Sequence, residues 1–293
     1  MSARIAHITT MSANPMAIGT MYETLFGLNF DRTPKPTSYG EVLSDGNVML
    51  TLHHRLPGHR LGLDHFGIEV DDLAATLDRI KAANPALGWV ERPPNCPYPG
   101  VLAHDPSGNI FALYQKGGAG APTGTAESRP APANFRRWNS RIDPSGRYVH
   151  HYAIRTRRLD ECAAFYERVF AFRPIAGKPG DPNRYLSDGR VTLMLIPWHI
   201  EDYAGISVTG RGPDHIGFKV EDAAAMRQEI ETFSANFSPG QVPLWLLTTI
   251  NEKTRESQIR AAMIEKSCPV SRYQFTDKDG TFVVIGDKTF AEA

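Results

Sequence analysis

Four histidines stand in two matching settings. His7 lies fifteen residues before Tyr22, and His151 lies fifteen before Tyr166. His65 and His215 each sit in an Asp-His-x-Gly run, Asp64-His65-Phe66-Gly67 and Asp214-His215-Ile216-Gly217. A pair of imidazoles can hold a divalent metal, or serve without one as a general base near neutral pH. His150 adjoins His151, but side chains alternate across a strand, so only one of the two should face a pocket. The fifteen-residue spacing selects His151. A Cys-Pro pair, Cys96-Pro97 and Cys268-Pro269, also recurs nine residues before a late turn. With only Lys266 as a basic neighbour of Cys268, these cysteines read as shared ancestry in a loop rather than as nucleophiles.

Placing these residues requires elements, and the elements repeat too. Ile18, Met21, Tyr22, Leu25 and Phe26 draw an apolar stripe at helical period, and Cys162, Phe165, Tyr166, Val169 and Phe170 draw the same one. Leu43-Ser44-Asp45-Gly46 recurs as Leu186-Ser187-Asp188-Gly189, a turn before the strands Val48–Leu52 and Val191–Ile196. Second helices follow near 72–83 and 222–233, and Asp105-Pro106-Ser107-Gly108 matches Asp277-Lys278-Asp279-Gly280 before a last strand. So many landmarks in one order mark an internal duplication.

Within each half the order is strand, helix, strands, taken twice. The expected fold class is α+β: four βαβββ modules arranged as two tandem domains, 1–116 and 144–293, joined by a Gly/Pro/Ala-rich linker over 117–143. The second half carries an insertion near 238–267, in which Glu252–Lys266 reads as a helix, either a lid or a surface decoration. The loop Trp198–Tyr203 reads as a solvated segment or a substrate wall.

Composition narrows the function. Formal net charge is zero, which gives no basic field for nucleic acid or an anionic membrane. The apolar runs are strand-length, and the first residues carry no basic segment followed by a long apolar run, so neither a spanning helix nor a secretory leader is expected. Three cysteines without a CxxC argue against a disulfide framework and for a reducing, cytoplasmic setting. No GxGxxG, GxSxG or P-loop pattern appears. The partner expected is a small molecule, and exposed sheet edges are compatible with a homodimer.

The helix endings Met-Tyr-Glu-Thr-Leu-Phe-Gly and Phe-Tyr-Glu-Arg-Val-Phe, the Asp-His-x-Gly strands and Asp-Pro-Ser-Gly-Asn together resemble the vicinal oxygen chelate superfamily, which includes glyoxalase I, bleomycin-resistance proteins and type I extradiol ring-cleaving dioxygenases. The resemblance implies two tandem glyoxalase-like domains and a divalent metal, Fe2+ or Mn2+, held by His151 and His215, with His7 and His65 as the second choice. It also implies a carboxylate four residues after the turn glycine. That offset falls on Ala112 and Val284, and in the other two modules on Leu50 and Leu193, so the acidic ligand is missing. His54 and His199 share the parity of those leucines but lie too far along their strands, about 13 Å and about 20 Å. Tyr114 could reach the first pocket. The family's dioxygenases carry a catalytic tyrosine near the last turn; Gln274 holds its place, with Tyr273 one residue away, so Tyr273 joins His151 and His215 as a catalytic candidate. The implied activity is oxygenase, isomerase or lyase chemistry on an aromatic or oxygen-rich metabolite. The alternatives are a metal-free binding protein of the bleomycin-resistance type and a cofactor-free acid–base isomerase or lyase.

Overall fold

The computed structural model describes residues 3–31, 40–92, 100–117, 146–199, 212–236, 245–246 and 268–292. The expected linker beyond Gly117, Cys96, residues 200–203 of the Trp198–Tyr203 loop and most of the insertion, with its helix, lie outside these residues.

The first half runs β1 (Ala3–Ser12), α1 (Pro15–Phe26), β2 (Asn29–Asp31), β3 (Gly40–Ser44), β4 (Met49–His54), β5 (Gly62–Val70), α2 (Leu73–Ala83), β6 (Trp89–Glu91), β7 (Val101–His104) and β8 (Ile110–Gln115). The second repeats it as β9 (Tyr148–Thr156), α3 (Leu159–Phe170), β10 (Arg173–Ile175), β11 (Arg184–Ser187), β12 (Thr192–Pro197), β13 (Gly212–Lys219), α4 (Ala223–Asn236), β14 (Trp245–Leu246), β15 (Tyr273–Thr276) and β16 (Phe282–Gly286). Each half closes its own mixed eight-stranded sheet, in the orders β2-β3-β4-β1-β5-β8-β7-β6 and β10-β11-β12-β9-β13-β16-β15-β14. The two module-opening strands, β1 with β5 and β9 with β13, pair antiparallel at the centre of each sheet. The α+β fold of tandem βαβββ modules stands as expected.

The two apolar stripes are buried as read. Ile18, Met21, Tyr22, Leu25 and Phe26 of α1 and their counterparts in α3 join one core that draws on both halves. Asn14 caps α1, its side chain accepting from the Ala17 amide, and Gly27 ends it in the left-handed conformation. Phe26 stacks on Phe218 of β13 at 4.0 Å between centroids, and Phe165 and Phe170 of α3 lie against Phe111 of β8. Each helix thus packs under its own sheet and against the other half's strands, covering a face that a single module leaves bare.

The repeated polar landmarks hold this arrangement. The Tyr22 hydroxyl donates to Asp277, and Tyr166 donates to Asp105, both at 3.3 Å across the halves. Asp188 accepts from the Ile5 amide at 2.7 Å, and Asp45 accepts from Val149 at 2.8 Å. Motifs far apart in sequence are therefore reciprocal partners about a pseudo-twofold axis.

Candidate metal centre

In each sheet the face turned away from the helices carries the histidine pair. His151 on β9 stands opposite Gly217 on β13, and His7 stands opposite Gly67. A Cβ added at either glycine would lie 1.9 Å from the Cε1 of the facing imidazole. That close approach is the physical content of Asp-His-x-Gly: the glycine is the bed of the ring contributed by the neighbouring strand.

Two bulges per half aim further groups inward. Phe218 pairs with Val149 and Gly217 with His151, which leaves His150 as an extra residue in β9; Ala6 is extra in β1 in the same way. Simple alternation therefore fails here. His150 turns to the same face as His151, with Nδ1 of one 3.2 Å from Nδ1 of the other. The second bulge leaves Asp64 and Asp214 unpaired in register, directly before His65 and His215. Each carboxylate accepts from Nδ1–H of its neighbouring histidine at 2.6 Å. The recurring Asp in Asp-His was the available signal for this role, which is that of an outer carboxylate orienting a ligand imidazole. Asp214 is also bound by Arg155. Burial pushes its carboxyl up, but the charge of Arg155 and the hydrogen bond from His215 outweigh that and hold it well below the usual carboxylate range.

In the second half the two Nε2 atoms lie 3.0 Å apart. In a neutral His215 that donates through Nδ1 to Asp214, Nε2 is a lone pair, and His151 then donates the proton between them. His151 titrates well below the ordinary histidine value, first through burial and then through the neighbouring His215 and His150. Cys268 Sγ lies 3.7 Å from His151 Nε2. The donor atoms of His151, His215 and Cys268 all fall within 4.8 Å of one another, and all three residues are buried. Among the described residues this is the one such set of three. Burial pushes the Cys268 thiol up to about 12. The cysteine shares one buried cluster with Val284, the position where the carboxylate was expected, and with Ala153, Tyr185, Met194, Ile196, Val270 and Phe290. Phe290, beyond the last strand, stacks on His150 at 5.1 Å and meets His151 edge-on at 5.2 Å. No repeat marks it, because it lies past the repeated landmarks.

Among the described residues, which do not include Cys96, the first half shows no third donor beside its pair. His7 and His65 rings lie 5.7 Å apart, and His7 Nδ1 meets the Tyr114 hydroxyl at 3.2 Å, as the reach of Tyr114 suggested. His53, facing Met11 in register, shares this face; burial, then His65 and Arg92, lower it to about 4.

Several sequence readings need correction. Tyr273 pairs with Ile285 on the opposite, core-facing side of the sheet, where Arg227 lies over its ring at 5.1 Å. The inward neighbour is Gln274, across from Val284. The structure therefore does not bring Tyr273 to His151 and His215. Leu50 and Leu193 also face the core; Met49, Thr51 and His53 in β4, and Thr192, Met194 and Ile196 in β12, carry the inner parity. The offset was one residue out of phase there, so His54 has the wrong parity for the site. Cys268, read as an ancestral loop residue, reaches the histidine pair.

Residues 148–284 match the model of the Glyoxalase/Bleomycin resistance protein/Dioxygenase superfamily. The matched stretch lies within the second half and carries its histidine pair. Solved structures carry the likeness over both halves. Homoprotocatechuate 2,3-dioxygenase from Arthrobacter globiformis superposes with a TM-score of 0.56 at 13% identity, over 97% of this chain and 79% of the other. The Mn(II)-bound glyoxalase from Novosphingobium aromaticivorans gives 0.56 at 12% identity, over 97% and 81%. A xylose isomerase-like TIM barrel/4-hydroxyphenylpyruvate dioxygenase fusion protein gives 0.55 at 17%, and this chain spans 48% of its length. At these identities the likeness is one of fold. No curated protein sequence matches the chain. Among the described residues no helix is long and apolar enough to cross a membrane.

Proposed function

We propose that the chain is a small-molecule enzyme of the glyoxalase/dioxygenase superfamily, working from the second half on an aromatic or oxygen-rich metabolite through a divalent metal held by His151 and His215. One observation carries this reading: two buried Nε2 atoms converge at 3.0 Å while each ring is held from behind through Nδ1, by Asp214 and by His150. Structural histidines need no such convergence, whereas ligands do. Fitting a metal asks little of the chain. His151 takes the other tautomer: the proton shared with His150 passes to His151 Nδ1, and the one lost from His151 Nε2 is made up on His150 Nε2, so no net charge changes.

When bound, such a metal supplies Lewis-acid polarisation of substrate oxygens. The chain's own residues do the rest. Asp214 fixes the tautomer and orientation of His215, and Arg155 keeps Asp214 ionised. Tyr185, Met194 and Phe290 form an apolar wall that suits an aromatic or alkyl group and keeps water from the polar atoms. The similar structures, a homoprotocatechuate 2,3-dioxygenase and a Mn(II)-bound glyoxalase among them, support this class of substrate. To test the reading, purified full-length protein is loaded with Fe2+, Mn2+ or Zn2+, exchanged into metal-free buffer and assayed for bound metal. About one ion per chain is expected, lost in His215→Ala with circular dichroism unchanged. No retained ion of any kind would end the proposal.

A further inference from the structure

We infer that Cys268 is the third protein ligand of this centre, as a thiolate, and that the resulting His151–His215–Cys268 set selects Zn2+ over Fe2+ and Mn2+. The inference rests on the metal-centre reading above and extends it to the choice of metal, and hence to the kind of chemistry the centre supports.

Geometry comes first. Zn–N and Zn–S bonds of roughly 2.05 and 2.3 Å at tetrahedral angles put two nitrogens about 3.3 Å apart and a nitrogen and a sulfur about 3.6 Å apart. The chain holds His151 Nε2 at 3.0 Å from His215 Nε2 and at 3.7 Å from Cys268 Sγ. Both separations are within a few tenths of an ångström of that arrangement, and the third, between His215 and Cys268, is within 4.8 Å. Position agrees. The strand site from which a carboxylate would point is Val284, opposite Gly217, and Cys268, in the segment leading into β15, belongs to the same buried cluster as that valine. A short turn, with the Ser271 amide donating to the Cys268 carbonyl at 3.0 Å, holds the cysteine there. The ligand has moved from a strand to a neighbouring turn while keeping its corner of the site.

Donor chemistry then sets preference. A 2-His-1-carboxylate face suits non-haem iron, while replacing the hard carboxylate by a thiolate favours borderline-soft ions. Three protein ligands with a fourth position open is the pattern of catalytic zinc. A redox-inert ion in that place polarises a substrate oxygen and does not exchange electrons with dioxygen. The observations therefore favour isomerase or lyase chemistry over ring-cleaving oxygenation for this chain.

Co2+ substitution tests this directly. Metal-free full-length protein is titrated with Co2+ and followed by absorbance, then competed with Zn2+ and Mn2+; Cys268→Ser and His215→Ala are treated alongside. The expected wild-type result is one Co2+ per chain with intense visible bands of tetrahedral type and a thiolate-to-cobalt band in the near ultraviolet. Cys268→Ser should abolish the thiolate band, weaken Zn2+ binding by about tenfold or more, and shrink the Zn2+ over Mn2+ preference. Binding that needs His215 but shows no thiolate band in wild-type protein would overturn the assignment of Cys268 while leaving the two-histidine centre standing. So would a Cys268→Ser variant with unchanged Zn2+ affinity and preference. Failure of wild-type protein to bind any of the three ions, or binding indifferent to His215→Ala, would instead bring down the centre itself. The wild-type spectrum needs no variant, so poor folding of Cys268→Ser does not block the decision.

Discussion

Replacing Gly217 by alanine perturbs the centre without touching a polar atom. The new methyl would start 1.9 Å from Cε1 and 2.3 Å from Nε2 of His151, where ordinary contact begins near 3.4 Å, so the ring must retreat by about 1.5 Å. It has little room, because Phe290 meets it edge-on and His150 holds its other nitrogen. Overpacking of this kind costs about 1–3 kcal/mol. The same retreat is several times the tolerance of roughly 0.2 Å that a metal site allows. Gly217→Ala should therefore lower urea stability by about 2 kcal/mol and cut metal retention to the level of His215→Ala. Gly67→Ala serves as the matched control, since His7 is displaced equally: it should cost similar stability and leave metal retention intact. Both proteins are assayed by urea unfolding followed by tryptophan fluorescence and by metal analysis after dialysis. If Gly217→Ala unfolds within about 0.5 kcal/mol of wild type and keeps its metal, the glycine is not the bed of the ring and the reasoning is wrong.

Two further outcomes are expected. Burial, with Lys219 adding, lowers His150 to about 4 in the folded metal-free chain against an ordinary value near 6.5. A depressed histidine binds fewer protons folded than unfolded between those values, so its contribution is complete above pH 6.5 and fades as pH falls toward 4. Stability of the metal-free protein should then change less steeply with pH in His150→Gln, by about 1.4 kcal/mol per unit between pH 6 and 4.5; an unaltered slope in urea midpoints across that range would contradict the burial account. At the end of α3, Ala171 sits in the left-handed conformation with φ of 58°, at the place where α1 has Gly27. Ala171→Gly should raise the thermal midpoint, by about 1 kcal/mol of stability, as differential scanning calorimetry would show.

Much of this molecule was legible from spacing alone. Helical stripes of buried side chains and turn signals depend on local periodicity, so the duplication, the four modules and the α+β class followed from Ile18 to Phe26, Cys162 to Phe170 and the paired Leu-Ser-Asp-Gly turns. The convergence of His151 on His215 was legible for the same reason, since each stands at a repeated place on the opening strand of its module. Four things escaped that reading, and each was decided by tertiary structure. His150 joined the site because a bulge, set by pairing with β13, breaks the alternation on which strand parity depends. Tyr273 left it because the register with β16 turned it toward the core. Asp45, Asp188, Tyr22 and Tyr166 looked like local turn and helix signals until the halves met and made each the partner of a distant backbone or carboxylate. Cys268 had a sequence signal in its repeated Cys-Pro, but a repeat tells only of ancestry. Its nearness to His151, 117 residues away, comes from how β15 and β16 pair and where the preceding turn lies across the inner face. Local pattern determines which faces are buried; only packing between distant segments determines which polar atoms meet there.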